Sequence, residues 1–67
     1  MNKPLLESKM KLKGDRQEDL ANYLDISLSR LNAKINETGG AEFNQGEITQ
    51  IKLRYDLTPD EVDQIFF

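Results

Sequence analysis

The sequence contains no cysteine, no histidine and no tryptophan. Without cysteine the chain can form no disulfide, no thiolate metal site and no cysteine nucleophile. Without histidine it lacks the commonest metal ligand and the commonest general base. We therefore expect no enzyme, no cofactor and no metal site. The acidic residues of the C-terminal part do not change this expectation, because they lack the spacing and the turn glycine of a calcium loop.

Long apolar segments are absent as well. No run approaches the ~20 residues that a membrane-spanning helix needs. The start of the chain, Met1 to Pro4, lacks the apolar core of a signal peptide. The expected location is therefore the cytoplasm. A length of 67 residues predicts one domain, residues 1–67.

The net charge of −3 is distributed unevenly along the chain. Residues 1–36 contain seven Lys or Arg and five Asp or Glu, a net charge of +2, whereas residues 37–67 contain two and seven, a net charge of −5. Residues 1–36 can therefore face phosphate groups over a small area, but strong electrostatic attraction to DNA over a large surface is not expected. The alternative is that the asymmetry reflects only solvated helix faces.

Apolar spacing and capping residues predict five helices and no strand. Pro4 and Gly14 bound the first helix. Its apolar side is predicted to contain Leu5, Leu6, Met10 and Leu12. The fourth helix begins at Asn44 and the fifth at Thr58, each with a glutamate three residues later, as in a capping box.

The second and third helices are predicted to be separated by only a short turn. Asp15 is predicted to cap the second helix, with Glu18 three residues later, and Asp25 to end it. Ser27 is predicted to cap the third helix. The apolar stripe of that third helix is predicted to contain Leu28, Leu31 and Ile35.

Residues 16–36 have the order of a helix-turn-helix unit, in which the second helix enters the major groove of DNA. Ala21 is small where the two helices cross, Asp25 can adopt a positive φ, and Ile26 and Leu31 are apolar where side chains must be buried. The chain resembles short phage repressors of the lambda-repressor-like, Cro type, as found in phages and prophages of Gram-positive bacteria. The residues that carry the resemblance are Gln17 to Ala21, Tyr23-Leu24, Ile26-Ser27, Asn32 to Lys34, Gly40 to Phe43 and Ile65 to Phe67.

The resemblance covers nearly the whole chain. It implies an all-α, compact five-helix lambda-repressor-like domain that binds operator DNA as a dimer and takes part in the lysis–lysogeny decision. The sequence departs from the family pattern at Asp25, where such proteins usually have glycine. It departs again at Lys34, where many members of the superfamily have an apolar residue.

If the predicted stripe faces inward, Ser29, Arg30 and Ala33 point outward along the helix of residues 27–36, flanked by Lys34 and Asn36. Arg30 is the predicted base reader, because a guanidinium can donate two hydrogen bonds to a guanine. Its alternative role is a surface pair with Glu37 or Asp25. The predicted DNA-binding residues are Gln17, Ser27, Ser29, Arg30, Asn32, Ala33, Lys34 and Asn36. Of these, Gln17 and Ser27 are expected at phosphates, and Asn32 and Lys34 at the DNA backbone.

Three apolar residues are left for a dimer contact, namely Leu53, Phe66 and Phe67. A two-fold dimer would place two recognition helices about one DNA turn apart. The alternative is that Phe66 and Phe67 fold back onto the core of a monomer.

The predicted function is a sequence-specific DNA-binding transcriptional regulator in a bacterial host cell, associated with the nucleoid. The alternative function is a protein-binding modulator or antirepressor that keeps the fold and acts on a partner repressor.

Overall fold

The computed structural model describes residues 1–67 and contains five α-helices and no strand. The helices are α1 (Lys3–Lys13), α2 (Gln17–Leu24), α3 (Leu28–Asn36), α4 (Gln45–Tyr55) and α5 (Pro59–Phe66), with a 3₁₀ turn at Thr38–Gly40. The all-α, five-helix prediction is therefore confirmed. None of the helices combines the length and the apolar character that crossing a membrane requires.

Reciprocal capping boxes begin α4 and α5, as predicted. The Asn44 side chain accepts a hydrogen bond from the backbone N–H of Glu47 at 2.8 Å, and the Glu47 carboxylate accepts one from the N–H of Asn44 at 3.0 Å. Thr58 and Glu61 exchange the same two bonds at 3.2 and 2.9 Å. These side chains satisfy N–H groups that have no partner within the helix.

The predicted start of α2 is wrong. Arg16, not Asp15, precedes the helix, and its N–H donates to the Asp19 carboxylate at 2.8 Å. The Asp15 carboxylate instead accepts two hydrogen bonds from Arg54, at 2.6 and 2.9 Å, and one from the Tyr55 hydroxyl at 2.7 Å. Two hydrogen bonds from a charged guanidinium stabilise a carboxylate more than one hydrogen bond from a backbone N–H does. Asp15 therefore ties the α1–α2 connection to α4.

The core draws residues from all five helices and from the α4–α5 connection. Its buried members are Leu6, Met10, Leu20, Ala21, Leu24, Leu31, Ile35, Ile51, Leu57 and Ile65. Phe43 packs against this cluster and holds the loop before α4 to the core. Leu12 is 81% exposed, so its predicted place on the apolar side of α1 is wrong. Leu12 lies outside the face formed by Leu6 and Met10, the only strip of α1 that is buried.

The helices pack in two groups around this core: α2 lies on α3, and α1 lies on both α4 and α5. Both ends of the chain are held together, because the N–H of Asn2 donates to the carbonyl of Ile65 at 2.6 Å. An ion pair between Lys9 and Glu61 adds a second link between α1 and α5. The radius of gyration, 10.8 Å, matches the value of about 11 Å expected for a compact chain of this length.

Candidate nucleic-acid interface

The connection between α2 and α3 is a tight turn of three residues, Asp25 to Ser27. Asp25 adopts the left-handed conformation, with φ 58° and ψ 44°, as predicted from its place in the sequence. The N–H of Ile26 then donates to the carbonyl of Ala21 at 3.0 Å, which closes the end of α2. The Ser27 hydroxyl accepts a hydrogen bond from the N–H of Arg30 at 3.1 Å and so begins α3. These local bonds set the direction in which α3 leaves α2.

The buried side of α3 differs from the predicted stripe. Leu31, Lys34 and Ile35 are 0, 7 and 2% exposed, whereas Leu28 is 39% exposed. At 100° per residue, exchanging Leu28 for Lys34 in the buried set turns the inward direction by about 40° around the helix axis. The assignment of Leu28 to the core is therefore wrong, and the outward face shifts by the same angle.

Lys34 lies on the buried side of α3 although it carries a charge. Its ammonium donates to the Glu47 carboxylate at 2.6 Å, and the two side chains are only 9 and 10% exposed. The ammonium also lies 6.0 Å from the centre of the Phe43 ring. The predicted exposure of Lys34 is therefore wrong. A phosphate contact from this residue would require breaking a buried ion pair.

Electrostatics keep the Glu47 carboxylate of this pair charged. Burial alone raises the pKa of Glu47, but hydrogen bonds from Lys34 and from the Asn44 backbone, together with the charges of Lys34 and Arg30, hold that pKa below its ordinary value of 4.5. Arg30 makes no ion pair, and Glu37 instead pairs with the ammonium of Met1 at 3.0 Å. The predicted surface pair of Arg30 with Glu37 or Asp25 does not form.

The remaining predicted residues lie on the outer surface of α2 and α3. Ser27, Ser29, Arg30 and Asn36 are exposed, and Gln17, Asn32 and Ala33 are half-buried. The Asn36 side chain accepts a hydrogen bond from the ammonium of Lys3 at 2.8 Å. Apart from Lys34, the predicted residues are therefore all at least partly accessible, with Gln17 at the start of α2 and the others at the start of α3 or along it.

Sequence reasoning missed Leu28 as part of this surface. A helical side chain covers the turn on the N-terminal side of its own Cα. Leu28 is the first residue of α3, where no preceding turn of the helix exists to receive it. Its position directly after the Ser27 cap is the signal that could have identified it.

Few cations of the chain are free to meet a polyanion. Four of the nine Lys and Arg residues form ion pairs, namely Lys9 with Glu61, Arg16 with Asp19, Lys34 with Glu47 and Arg54 with Asp15. The Arg16 side chain is nevertheless 78% exposed, and its 3.7 Å pair with Asp19 is loose. Lys11, Arg16 and Gln17 line a shallow groove at the start of α2, together with the acidic residues Glu7 and Asp15. The basic part of the surface is therefore small and lies at this helix end and at Arg30.

The three apolar residues predicted at a dimer contact do not form one cluster. Leu53 and Phe67 are 71 and 78% exposed. Phe66 is half-buried, and its ring meets that of Phe43 edge to face at 5.7 Å. Phe66 and Phe67 line a groove with Phe43, from which Leu53 is absent. The structure thus brings the two terminal aromatics together and leaves Leu53 alone on the outer face of α4.

No protein family, curated protein or solved structure matches the chain significantly. No group of three Asp or Glu side chains converges in a way that could hold a metal ion.

Proposed function

We propose that this protein is a sequence-specific DNA-binding transcriptional regulator that inserts α3 into the major groove. The observation that supports this most is the α2–turn–α3 unit, closed by a left-handed Asp25 and a Ser27 cap. In that unit Leu31 and Ile35 are buried while the N-terminal turn of α3 is open to solvent. Recognition helices of the helix-turn-helix class present their N-terminal residues to base edges in this way.

Phosphate contacts are proposed at the N-terminal ends of α2 and α3. Gln17 begins α2, and Arg16 beside it is largely exposed. The free N–H groups of a helix start favour anions, and a flanking cation adds charge. Ser27 and Arg30 provide the corresponding groups at the start of α3. Together these residues would bind two stretches of the DNA backbone on either side of the groove.

The proposed class is the lambda-repressor-like, Cro-type repressor that the sequence resembles. The five-helix order and the placement of the helix pair as α2 and α3 support it. A repressor of this class would bind a palindromic operator as a dimer, in the cytoplasm of a bacterial host at the nucleoid. Fold alone does not establish a function, so DNA binding itself is the property to test.

A second candidate is a protein-binding modulator that keeps the fold and acts on a partner repressor. Two observations favour it: the net charge of −3, and the ion pairs that occupy four of the nine cations. With Lys34 buried, α3 retains only Arg30 as an exposed charge. Such a module would bind no duplex of any sequence, even at low salt.

The first test is selection from a random duplex library at low salt with the wild-type protein and with R30A. The wild type should enrich a short palindrome, and its affinity should fall linearly with salt on a log–log scale. R30A should bind the enriched duplex more weakly, with a salt slope smaller by about one. K52A removes an unpaired cation from α4 and should leave affinity and slope unchanged. Failure of the wild type to enrich any duplex would exclude the repressor and favour the modulator.

A further inference from the structure

Four side chains form a continuous strip along the accessible N-terminal half of α3. Leu28, Ser29, Asn32 and Ala33 stand at i, i+1, i+4 and i+5, which places them together on one side of a helix. Leu28 and Ser29 are exposed, and Asn32 and Ala33 are half-buried. We call these four residues the reading strip. It carries no charge.

The side-chain amide of Asn32 is free, as is that of Asn22 on α2, whereas the other three asparagines of the chain form side-chain hydrogen bonds. Asn2 and Asn44 cap α1 and α4, and Asn36 accepts a hydrogen bond from Lys3. No hydrogen bond within the protein occupies the side chain of Asn32. Its amide group can therefore donate and accept toward a ligand without first breaking an internal contact.

Leu28 is the apolar member at the start of the strip. An exposed leucine alone is ordinary on a protein surface. Leu28, however, lies in the first turn of α3, the part of a recognition helix that reaches base edges. Arg30 stands one turn before Lys34 on α3, and at 100° per residue it lies about 130° around the helix axis from the middle of the strip. The strip and the only exposed charge of the helix thus face different sides.

We infer that the reading strip recognises A·T base pairs, with Asn32 bonding the N6 and N7 atoms of an adenine and Leu28 packing on a thymine methyl group, while Arg30 binds a phosphate. An asparagine amide matches the donor and acceptor of adenine in the major groove, and apolar side chains contact the C5 methyl of thymine. Ala33 adds a second apolar contact beside Asn32. This inference rests on the proposed DNA-binding function and specifies the kind of half-site.

The Leu28 contact is tested on the duplex that selection enriches. Replacing one thymine at a time by deoxyuridine removes only the methyl group. At one position this should weaken wild-type binding roughly 4-fold, the value for one buried methylene-sized group. The same replacement should not weaken L28A further. L12A truncates an exposed leucine on α1 and should keep the full 4-fold discrimination.

The Asn32 contact is tested by replacing single adenines with 7-deazaadenine, which lacks the N7 acceptor. The wild type should lose affinity by roughly 5-fold or more at one adenine. N32A should bind the natural duplex more weakly and be insensitive to this replacement. Q50A, which truncates an exposed amide on α4, should remain sensitive. Because each comparison uses two duplexes with one protein, differences in folding between variants cancel.

The outcomes separate this inference from the proposed function. If the wild type selects no duplex, the proposed function fails. If it selects a motif dominated by guanine and cytosine, and R30A loses one guanine from that motif, Arg30 is the base reader and the inference is overturned. A wild type that does not distinguish thymine from deoxyuridine, or adenine from its 7-deaza form, overturns the corresponding contact. If R30A binds weakly but selects the unchanged motif, this supports the role of Arg30 as a phosphate contact.

Discussion

Asp15 joins two helices through three hydrogen bonds to one carboxylate. Arg54 donates two of them and Tyr55 the third, and the guanidinium carbon of Arg54 lies 4.7 Å above the Tyr23 ring. Hydrogen bonds from Arg54 lower the pKa of Asp15 below its ordinary value, and burial raises that of Tyr55. Asp15 therefore anchors to α4 the connection that precedes the start of α2, where phosphate contacts are proposed.

Replacing Asp15 by asparagine should lower the free energy of unfolding at pH 7 by about 1.5–3 kcal/mol, the range for hydrogen bonds to charged groups. The carboxylate has a lowered folded pKa, so its contribution is present above the ordinary value of 3.8 and is lost as the pH falls through the folded pKa. Urea denaturation of wild type and D15N should differ at pH 7, and the difference should shrink as the pH falls below 3.8 and through the folded pKa of Asp15. D63N, which alters an exposed aspartate of α5, serves as the control. An equal deficit for D15N at pH 7 and below the folded pKa of Asp15 would contradict the ionic account.

The buried ion pair between Lys34 and Glu47 connects α3 to α4. The apolar part of the lysine side chain is buried on the inner side of α3, and its ammonium pairs with the Glu47 carboxylate of α4. Buried ion pairs contribute little net stability, but breaking one by removing a single partner is costly. The pair thus links the rotation of α3 to α4 and helps determine which side chains of α3 are exposed.

Three helices end at acidic residues in the left-handed conformation. Asp25, Glu37 and Asp56 follow α2, α3 and α4 with φ of 58°, 54° and 51°. Such positions favour glycine, because a Cβ is strained there. A negative charge at a helix C-terminus also opposes the helix dipole. The turns therefore form at some cost in stability, which tertiary packing offsets.

D25G should raise the free energy of unfolding by about 0.5–1 kcal/mol, because glycine relieves the strain at φ 58°. D25N keeps the Cβ and removes the charge. If DNA binding occurs, both variants should bind slightly more tightly at low salt, since a negative charge beside the α3 start is lost. Thermal denaturation and DNA titration of the two variants separate strain from charge. Greater stability for D25N than for D25G would contradict the strain account.

The whole molecule combines a small cationic surface with an acidic remainder. Such a charge distribution supplies limited attraction to DNA, so a dimer that joins two such surfaces would be needed for tight binding to an operator. Phe67, exposed beside the groove that Phe43 and Phe66 line, is the better candidate for that contact, and Leu53 lies apart from it. The dimer remains a prediction.

F67A should shift the monomer–dimer equilibrium toward monomer in sedimentation equilibrium, because the exposed ring would lose its apolar partner surface. L53A, which truncates an equally exposed residue outside the groove, should shift the equilibrium less. A wild type that is monomeric at every concentration would exclude a dimer in the absence of DNA. Equal effects of the two variants would instead favour a broader contact that includes the α4 face.

Much of the fold could be predicted because its signals are local. Gly14, Asp25, Ser27, Asn44 and Thr58 each bound a helix as expected. The errors at Asp15 and Lys34 share a cause: a local role of the right type was available to each side chain, but each instead pairs with a charged group far away in sequence. Arg54 lies 39 residues from Asp15 in sequence, and Glu47 lies 13 from Lys34.

The sequence by itself determined the number of helices, the residues that begin and end most of them, and the α2–turn–α3 unit, because capping and periodicity act within a few residues. Only the tertiary structure decided which way α3 is turned. Helical periodicity allows neighbouring stripes that differ by a few tens of degrees. The choice between them depends on whether Lys34 finds a buried partner, and that partner, Glu47, is supplied by another helix.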